Sequence, residues 1–594
     1  MEKRSERGEG QDNARRQTEW IRPRTSFALG AEAVHCSPVA VNSPAEQYAP
    51  SAPAKSAWLA LTLLVLYLCL FDGLASFGLT GPDEPRYAAI AREMAATDDW
   101  VTPRLHGKAW FEKPILYYWA AAVQYKLWGD TEVSARLPSA LAAAVTTLAL
   151  GWLAWRMYGW CAAQIVLLLF PTTVAAIGFG RAATTDMLFT ASLALAMVTA
   201  ARIVRPAQVQ ASDEATVYAG AKPPPRGHAI IELLWRCGFG AALGLAVLAK
   251  GPAALVLTGG SAGLWIAATR RWSDGFRLGH PVAMVSFVIV ALPWYALCAL
   301  RNPDFVDVFL ISHNVQRFLT PVFQHQQPLW FFGPILLLGL LPWAPLLFGT
   351  TLDGIRLVGS SRWMNSPSFF VACWAIFPVL FFSLSQSKLP GYVLPAIPPI
   401  ALLLARSLSK GISQRDSQSR WMLAATGIGL LLLGGIAATP SLAASGMPGI
   451  TPGALQPVAV ALLVGGAAVI LLTARRKLTY AVALSALSMA AAAGALTRTV
   501  LPRMDAHISA RTAAQLLAGY PAPQAPSLSV HQMHRAWHYG LNYYLRRDVP
   551  VWSPEEDTAF IVTSEAGLAD LRARKIELEL MERVSPKAII VGRR

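Results

Sequence analysis

Charged residues are scarce in this chain of 594 residues. Asp, Glu, Lys and Arg make up only 14% of it and 54% of the residues are hydrophobic, with a mean hydropathy of +0.40. A typical soluble domain has about 25% charged residues, so an ordinary soluble protein is excluded. Because apolar stretches of about 20 residues recur from Ala57 onward, a β-barrel and a single membrane anchor are excluded as well. The sequence predicts an all-α polytopic membrane protein.

Cysteine is also rare, and its placement excludes two common kinds of site. Five of the six cysteines fall within apolar stretches, and Cys36 lies in the polar N-terminal segment. No CxxC pair and no disulfide framework are visible. No HExxH spacing, typical of a zinc-binding helix, is present either. A Cys-rich metal or redox module is therefore not expected.

Thirteen apolar stretches are long enough to span a bilayer, at approximately 57–78, 133–155, 160–180, 186–204, 230–249, 252–269, 281–300, 328–350, 367–386, 390–408, 421–441, 455–473 and 479–500. A further stretch, Pro114–Gly129, is only 16 residues long and contains Gln124 and Lys126. Counting it as a span would move the basic turn Arg475–Lys477 to the outside, against the positive-inside rule. We therefore predict an interfacial helix on the outer leaflet for this stretch, and a cytoplasmic N-terminus.

Composition divides the chain into three parts. Residues 1–55 are polar, carry charges of both signs and have no apolar run before Ala57, which predicts a disordered cytoplasmic tail rather than a nucleic-acid-binding arm. Residues 56–500 form the transmembrane domain, with a large outer loop at 79–132. Residues 501–594 combine alternating and helical patterns and predict a small α/β domain on the outer face. We attribute the net charge of +16 first to basic loops that orient the chain in the membrane, and we expect no nucleic-acid partner.

Four polar segments fall on the outer side in this topology: Thr80–Gly129, Arg181–Asp186, Arg301–Gln327 and Ser387–Tyr392. A transporter would more often keep its charges near the bilayer midplane between inverted repeats, and no such repeat is visible. The clustering predicts an external site at membrane level.

The first outer loop contains paired carboxylates. Asp83 and Glu84 follow Pro82 at a predicted helix N-terminus, beside Arg86 and Tyr87. The helix dipole favours ionised carboxylates there, so a simple capping role is the alternative to catalysis. Because the turn directly follows the first span, we interpret the two acids as catalytic candidates.

Further candidates flank the other outer segments. Glu112 and Lys113 precede Pro114, which starts a predicted helix. A helix N-terminus beside a lysine can bind a phosphate, and the alternative is that this segment only anchors the chain at the membrane surface through its aromatic residues. Asp186 begins one span and Lys250 ends another, and we interpret both as site residues because an ionisable side chain at a span often has a function. The alternatives are helix capping for Asp186 and snorkelling to the membrane surface for Lys250.

The two remaining outer segments add bases and possible metal ligands. Helical spacing places His313 and Arg317 on one face, and His313, His325 and Glu112 have the chemistry for a divalent cation. The other substrate-binding candidates in the outer segments are Arg301, Lys388 and Tyr392. Two or three acids among an excess of bases suit an anionic, lipid-linked substrate.

Four motifs resemble a known family: DEPRYAAIAREM from Asp83, WVTPRL from Trp100, FEKP from Phe111 and SKLPGY from Ser387. They are similar to the bacterial aminoarabinose transferases that modify lipid A. These enzymes belong, with the protein O-mannosyltransferases, to the polytopic glycosyltransferases that use polyprenyl-phosphate sugars. The resemblance covers about 57–500 and implies a GT-C fold of thirteen spans, in the bacterial inner membrane, with a cavity open to the periplasm.

The resemblance also implies roles for residues. It places the catalytic acids on Asp83 and Asp186, phosphate binding on Lys113, Arg317 and Tyr392, a possible zinc ion near Glu112 and His313, and further cavity positions on Arg86, Tyr87, Lys250 and Arg301. It implies an undecaprenyl-phosphate sugar donor and, as acceptor, lipid A or another envelope glycolipid. Pro85, Gly391 and the long N-terminal tail depart from the family pattern. A protein O-mannosyltransferase, or in another class a lipid or solute transporter, remains the alternative.

Overall fold

The structure, a computed structural model, describes residues 52–204, 226–320, 326–357, 361–439, 450–519, 527–555 and 558–593. All of these residues belong to one compact unit. Nearly all of the predicted N-terminal tail and His325 lie outside the described residues.

Nine helices in the described ranges are long and apolar enough to cross a membrane: Glu132–Tyr158, Thr185–Val204, Ala229–Lys250, Pro281–Arg301, Pro367–Leu384, Pro390–Gln414, Ser417–Ala438, Gly453–Ala474 and Leu478–Ile508. Each corresponds to one predicted apolar stretch. The interior helices bury small residues against their neighbours, as membrane helices do. Thr185–Val204, with 83% of its apolar window buried, is the most enclosed of the nine.

The other four predicted stretches are shorter or broken helices. Ser56–Phe71 and Ala253–Thr269 are short apolar helices. Trp160–Leu169 and Val174–Gly180 form a pair bent by 58°. The stretch predicted at 328–350 is bent by 119° between Leu329–Gly339 and Ala344–Arg356, so it is not one continuous helix. The helical-bundle fold is confirmed, with breaks that the apolar composition did not reveal.

The large loop after the first helix has its own structure. Helix Asp83–Thr97 begins after Pro82, and helix Leu116–Trp128 confirms the helical prediction for 114–129. Between them, strands β1 (Arg104–Leu105) and β2 (Lys108–Ala109) form a hairpin. Both residues of its two-residue turn have positive φ, 52° and 79°, which is the geometry that tight hairpins favour.

Shorter helical segments connect the spans. They are Trp272–Leu278, the π-helical Val306–Gln316, Arg317–Leu319, Leu329–Phe331 and Ser361–Met364. Segment Val306–Gln316 matters most for function, because it carries part of the third predicted outer segment.

The C-terminal region has four strands, β3 Leu528–His531, β4 Phe560–Thr563, β5 Leu578–Ser585 and β6 Ala588–Arg593, and the helices Arg511–Gly519, Arg535–Leu545 and Glu565–Ala573. The strands form one sheet in the order β3-β4-β6-β5. Strands β3 and β4 are parallel and the other pairs antiparallel. Alternate residues of β4 and β6 enter two separate apolar clusters, one on each face of the sheet. The predicted strands and helices of this region are confirmed.

The C-terminal region rests on the loop after the first helix. The Tyr544 hydroxyl donates to Glu132 over 3.0 Å, and the Arg92 guanidinium donates to the Tyr543 carbonyl over 2.8 Å. The Gly78 amide donates to Asp505 over 2.7 Å. These contacts hold the first loop between the spans and the C-terminal sheet, and so fix the loop that carries the candidate acids.

Candidate functional site

Several predicted residues line one cavity of about 210 Å³. The polar part of its wall comes from the turn before Leu116–Trp128, the end of Arg226–Lys250, the segment Val306–Gln316 and the start of Pro390–Gln414. Helices Ala253–Thr269, Arg317–Leu319 and Pro367–Leu384 add apolar residues. The predicted residues that face it are Glu112, Lys113, Lys250, His313 and Tyr392. Segments up to 280 residues apart in sequence therefore meet at one site.

A chain of alternating charges leads to the cavity from the first loop. Asp83 Oδ1 lies 2.6 Å from an Arg86 nitrogen, and the same nitrogen lies 2.9 Å from Glu112 Oε2. Glu112 Oε1 is 3.4 Å from Lys113 Nζ. The i,i+3 spacing on helix Asp83–Thr97 brings the first pair together. Arg86, whose side chain is 8% exposed, thus fixes both carboxylates relative to Lys113.

Asp83 differs from its neighbours because its side chain is 52% exposed. Its pKa is raised above the usual value, chiefly because the surrounding protein takes it partly out of water. The carboxylates of Glu112 and Asp186 add to that rise, whereas Arg86 and Lys113 oppose it. An accessible carboxylate with a raised pKa is suited to accept a proton.

Tyr87 supports this arrangement from behind. It is buried, with its ring centroid 6.0 Å from those of both Tyr117 and Tyr118. Burial, with the nearby carboxylates of Glu112 and Asp83, raises its pKa well above the usual value, so the phenol stays neutral. Its ring lies 5.3 Å from the Arg86 guanidinium. Tyr87 therefore packs against the Arg86 guanidinium.

The second predicted acid pairs with a lysine of the cavity. Lys250 Nζ lies 2.5 Å from Asp186 Oδ1, 5.2 Å from the centroid of the Tyr392 ring and 5.5 Å from that of Phe189. Gly391 is required here, because a Cβ at that position would lie 2.9 Å from Asp186 Oδ1. The glycine that departs from the family pattern thus allows the chain to pass close to the acid.

The cavity wall is also aromatic. Its phenylalanines are Phe309, Phe318, Phe381 and Phe382. The Phe382 ring lies 4.9 Å from that of Tyr392, and Phe318 stacks on Phe381 at 4.7 Å. The cavity therefore combines cationic and apolar side chains, which suits a phosphate attached to a hydrocarbon chain.

Glu84 has different surroundings from Asp83. Both of its oxygens accept from the Arg136 guanidinium, at 3.0 and 2.8 Å, and it also accepts from the amides of Thr80 and Ala183, each at 2.7 Å. Burial alone would raise its pKa, but Arg136 and the amide donors outweigh burial and lower it. With its acceptor positions filled, Glu84 is a structural anion. Its predicted catalytic role finds no support in this geometry.

Two other predicted bases do not line the cavity. Arg301 is 57% exposed and lies 3.4 Å from Asp99. Lys388 donates to the carbonyls of Gln327 and Ser385, at 2.9 and 2.8 Å. Since Ser385 lines the cavity, Lys388 holds its rim. Arg301 ends helix Pro281–Arg301 and contacts the first loop only through Asp99 among the described residues.

The predicted zinc site finds no donor set in the described part of the chain. No group of three His, Cys, Asp or Glu side chains there is placed to hold a metal ion. Glu112 already faces two cations, Arg86 and Lys113, which disfavours a third positive charge. His325 and the side chain of Arg317 lie outside the part of the chain that the structure describes, so their predicted roles stay predictions.

Sequence reasoning missed two contributors to the site. Arg136 is fully buried near the start of a span. An arginine within an apolar span usually has a polar partner, so the sequence alone could have marked it. Tyr539, whose ring lies 5.4 Å from the Arg86 guanidinium, comes from the C-terminal region. Nothing in its local sequence marks it, because the contact depends on how that region docks.

Known proteins are similar to this chain over much of its length. Residues 56–309 match the family described as dolichyl-phosphate-mannose-protein mannosyltransferase. The undecaprenyl phosphate-alpha-4-amino-4-deoxy-L-arabinose arabinosyl transferase of Aeromonas salmonicida is 33% identical over 395 residues, 65% of this chain and 67% of the relative. The protein of the same name from Edwardsiella ictaluri is 34% identical over 348 residues. That alignment covers 58% of each chain, less than two thirds of the Edwardsiella protein.

A solved structure extends the likeness to most of the chain. The crystal structure of ArnT from Cupriavidus metallidurans in the apo state has a TM-score of 0.71 and 25% identity, and covers 91% of this chain and 98% of that one. The form bound to undecaprenyl phosphate matches with the same TM-score and 23% identity. The chain therefore belongs to the undecaprenyl phosphate-aminoarabinose arabinosyl transferases, a family of multi-pass membrane glycosyltransferases.

Proposed function

We propose that this protein transfers 4-amino-4-deoxy-L-arabinose from undecaprenyl phosphate to lipid A or a related envelope glycolipid. One observation carries the proposal: a single cavity is lined by two lysines, a tyrosine and four phenylalanines, and the accessible carboxylate of Asp83 is linked to it through Arg86 and Glu112. The lysines fit a phosphate and the phenylalanines fit a prenyl chain. The relatives named above supply the identity of the sugar.

In this proposal the sugar moves by displacement at its anomeric carbon. The bond from that carbon to the lipid phosphate breaks as the acceptor oxygen bonds to it, and undecaprenyl phosphate leaves as the anion. Lys113 and the Tyr392 hydroxyl stabilise the charge that grows on the leaving phosphate. Asp83 accepts the proton of an acceptor hydroxyl, or only orients an acceptor oxygen that is already ionised.

Asp186 and Lys250 act as a pair in this mechanism. The salt bridge holds the lysine against the Tyr392 ring, in the same cavity that Lys113 lines. Two cations in one cavity give the phosphate a defined position. Asp186 thus positions Lys250.

The proposal includes an orientation. Residues 79–132 form the catalytic loop on the periplasmic side of the inner membrane, with residues 501–594 beside it and the N-terminus in the cytoplasm. The basic turns between spans, such as Arg475–Lys477, support it because such turns remain on the cytoplasmic side. Labelling of single cysteines in these turns from either side of intact cells tests it.

The activity is tested with the purified chain in lipid nanodiscs. We expect the protein, given undecaprenyl-phosphate aminoarabinose and lipid A, to produce lipid A with a mass increase of one aminopentose. If lipid A stays unmodified while an acceptor peptide gains mannose from a polyprenyl-phosphate mannose, the protein mannosyltransferase alternative replaces the proposal. Movement of donor across vesicles without any transfer would favour a transporter.

Removing the cation that faces the phosphate gives a sharper test. Lys113→Gln is expected to lower kcat/KM for the donor by about 100-fold, because one preorganised charge at the leaving group is lost. Lys108→Gln, at an exposed position of β2 in the same loop, is the matched control and should retain the wild-type rate. Equal rates for wild type and Lys113→Gln would remove Lys113 from the mechanism.

A further inference from the structure

A second cavity, of about 420 Å³, lies between two helical turns and shares no residue with the candidate active-site cavity. Arg415 and Arg420 come from the turn between Pro390–Gln414 and Ser417–Ala438. Arg476 and Lys477 come from the turn between Gly453–Ala474 and Leu478–Ile508. We call this space the basic cavity. It has four cationic side chains and no acidic residue in its wall.

The basic cavity lies at the opposite end of a span from the active site. Helix Pro390–Gln414 carries Tyr392 in the candidate active-site cavity near its start and Ile412 in the basic cavity near its end. Twenty residues of helix separate them, or about 30 Å at 1.5 Å per residue. That is the thickness of the hydrocarbon core of a bilayer. The two cavities therefore open at opposite faces of the membrane.

The four cations lack ionic partners in the described ranges of the chain. Asp416, the acid nearest in sequence, caps its own helix by accepting from the Gln418 amide over 3.2 Å and does not line the cavity. The Nε atom of Arg420 is buried without a hydrogen-bond partner in the described structure. Orientation of the chain accounts for basic turns in general, but it does not require four unpaired cations around one cavity.

A helix start also opens onto the basic cavity. Leu478, Thr479 and Tyr480 are the first residues of helix Leu478–Ala495 and line the cavity, and no side chain caps that helix. The first amides of an α-helix have no partner within the helix, so they can donate to an anion. Together with the four side chains, they make a site for phosphate oxygens.

Aromatic side chains indicate where the anion comes from. Trp421 and Tyr480 beside the basic cavity are 76% and 67% exposed. Tryptophan and tyrosine concentrate at the level of lipid headgroups, where one part of the ring is apolar and the other is wet. A cavity at that level is reached most directly by a lipid of the surrounding bilayer.

We propose that the basic cavity binds the headgroup phosphate of an anionic phospholipid in the leaflet opposite the active site. Because the cations form two pairs on two turns, a lipid with two phosphodiester groups fits best. Such a lipid bridges the turns and so holds the helices that begin and end there. Basic pockets between membrane helices are a known form of headgroup site.

Native mass spectrometry of the full chain tests this by titration with cardiolipin, phosphatidylglycerol and phosphatidylethanolamine. We expect affinity to fall in that order. Arg420→Gln with Lys477→Gln should weaken cardiolipin binding by about 10- to 30-fold. The control pair, Arg270→Gln with Arg356→Gln, removes two charges from other basic turns and should change binding less than twofold.

Three outcomes would overturn the proposal. Equal weakening in the control pair would show that general surface charge attracts the lipid. Equal binding of cardiolipin and phosphatidylethanolamine, whose phosphodiester charge is balanced by its ammonium group, would show that the cavity does not select an anionic lipid. Full competition by millimolar inorganic phosphate would assign the cavity to a soluble anion. Because no sugar donor is present, these outcomes do not depend on the proposed transferase activity.

Discussion

Replacing Asp83 by Asn is expected to lower the rate of sugar transfer by about 100- to 10,000-fold while the protein stays folded. The amide retains the shape of the side chain but can neither accept a proton nor balance the charge of Arg86, 2.6 Å away. Transfer to lipid A, measured by mass spectrometry over time, checks this. KM for the donor should change little, because the proposed phosphate contacts are those of Lys113, Lys250 and Tyr392.

The pH profile distinguishes a proton acceptor from a packing residue. A general base acts in its ionised form, so activity is present above its pKa and is lost as the pH falls through it. The pKa of Asp83 is raised from the usual value of about 3.9, so the acidic limb of kcat/KM should lie above that value. Asp83→Asn should lose this limb from its residual activity.

Asp98→Asn provides the matched control for Asp83→Asn. Asp98 lies at the other end of helix Asp83–Thr97, its side chain is 66% exposed, and its left-handed backbone, with φ of 56°, is one that Asn also adopts. We expect wild-type activity for this variant. If Asp83→Asn lost less than tenfold and kept the acidic limb, Asp83 would only orient the acceptor.

Three of the predicted residues that line the cavity share one property. Lys113, Lys250 and Tyr392 are polar groups next to a proline or at the end of an apolar span, where an ionisable side chain is costly unless it has a use. Local sequence therefore marks them. The same reasoning also selected Arg301, which lies outside the cavity, because proximity to a span does not fix the direction of a side chain.

What sequence could not predict depends on tertiary contacts. The pairing of Glu84 with Arg136 joins residues 52 positions apart, and the choice between Asp83 and Glu84 follows from it. Phe381 and Phe382 look like lipid-facing residues within an apolar run, and only packing places them in the cavity wall. The 119° bend after Gly339 could not be predicted either, because the residues around it remain apolar and the hydropathy profile shows no break there.

Arg136→Met is expected to destabilise the protein by about 3–5 kcal/mol, because it leaves the buried carboxylate of Glu84 without its partner. The Arg136 side chain is fully buried and also donates to the carbonyls of Leu74, Phe77 and Gly78, at 2.7 to 2.9 Å. One guanidinium thus ties a span to the end of the first helix. The free energy of unfolding, measured by denaturant titration in mixed micelles, checks the value.

Two further variants show whether the loss comes from an unpaired charge. Glu84→Leu combined with Arg136→Met removes both charges and should recover part of the stability lost by Arg136→Met alone, though the freed carbonyls and amides prevent full recovery. Arg301→Met breaks an exposed ion pair and should cost at most about 1 kcal/mol.

Glu84→Gln separates a structural from a catalytic carboxylate. The amide cannot accept from Arg136 through both oxygens, so we expect a loss of stability together with a transfer rate per folded molecule close to that of the wild type. Burial and the five hydrogen bonds that Glu84 accepts leave no position for a substrate proton. A stable Glu84→Gln protein that binds donor but transfers at least 100-fold more slowly would instead make Glu84 catalytic. The paired acids would then share the chemistry that this geometry gives to Asp83 alone.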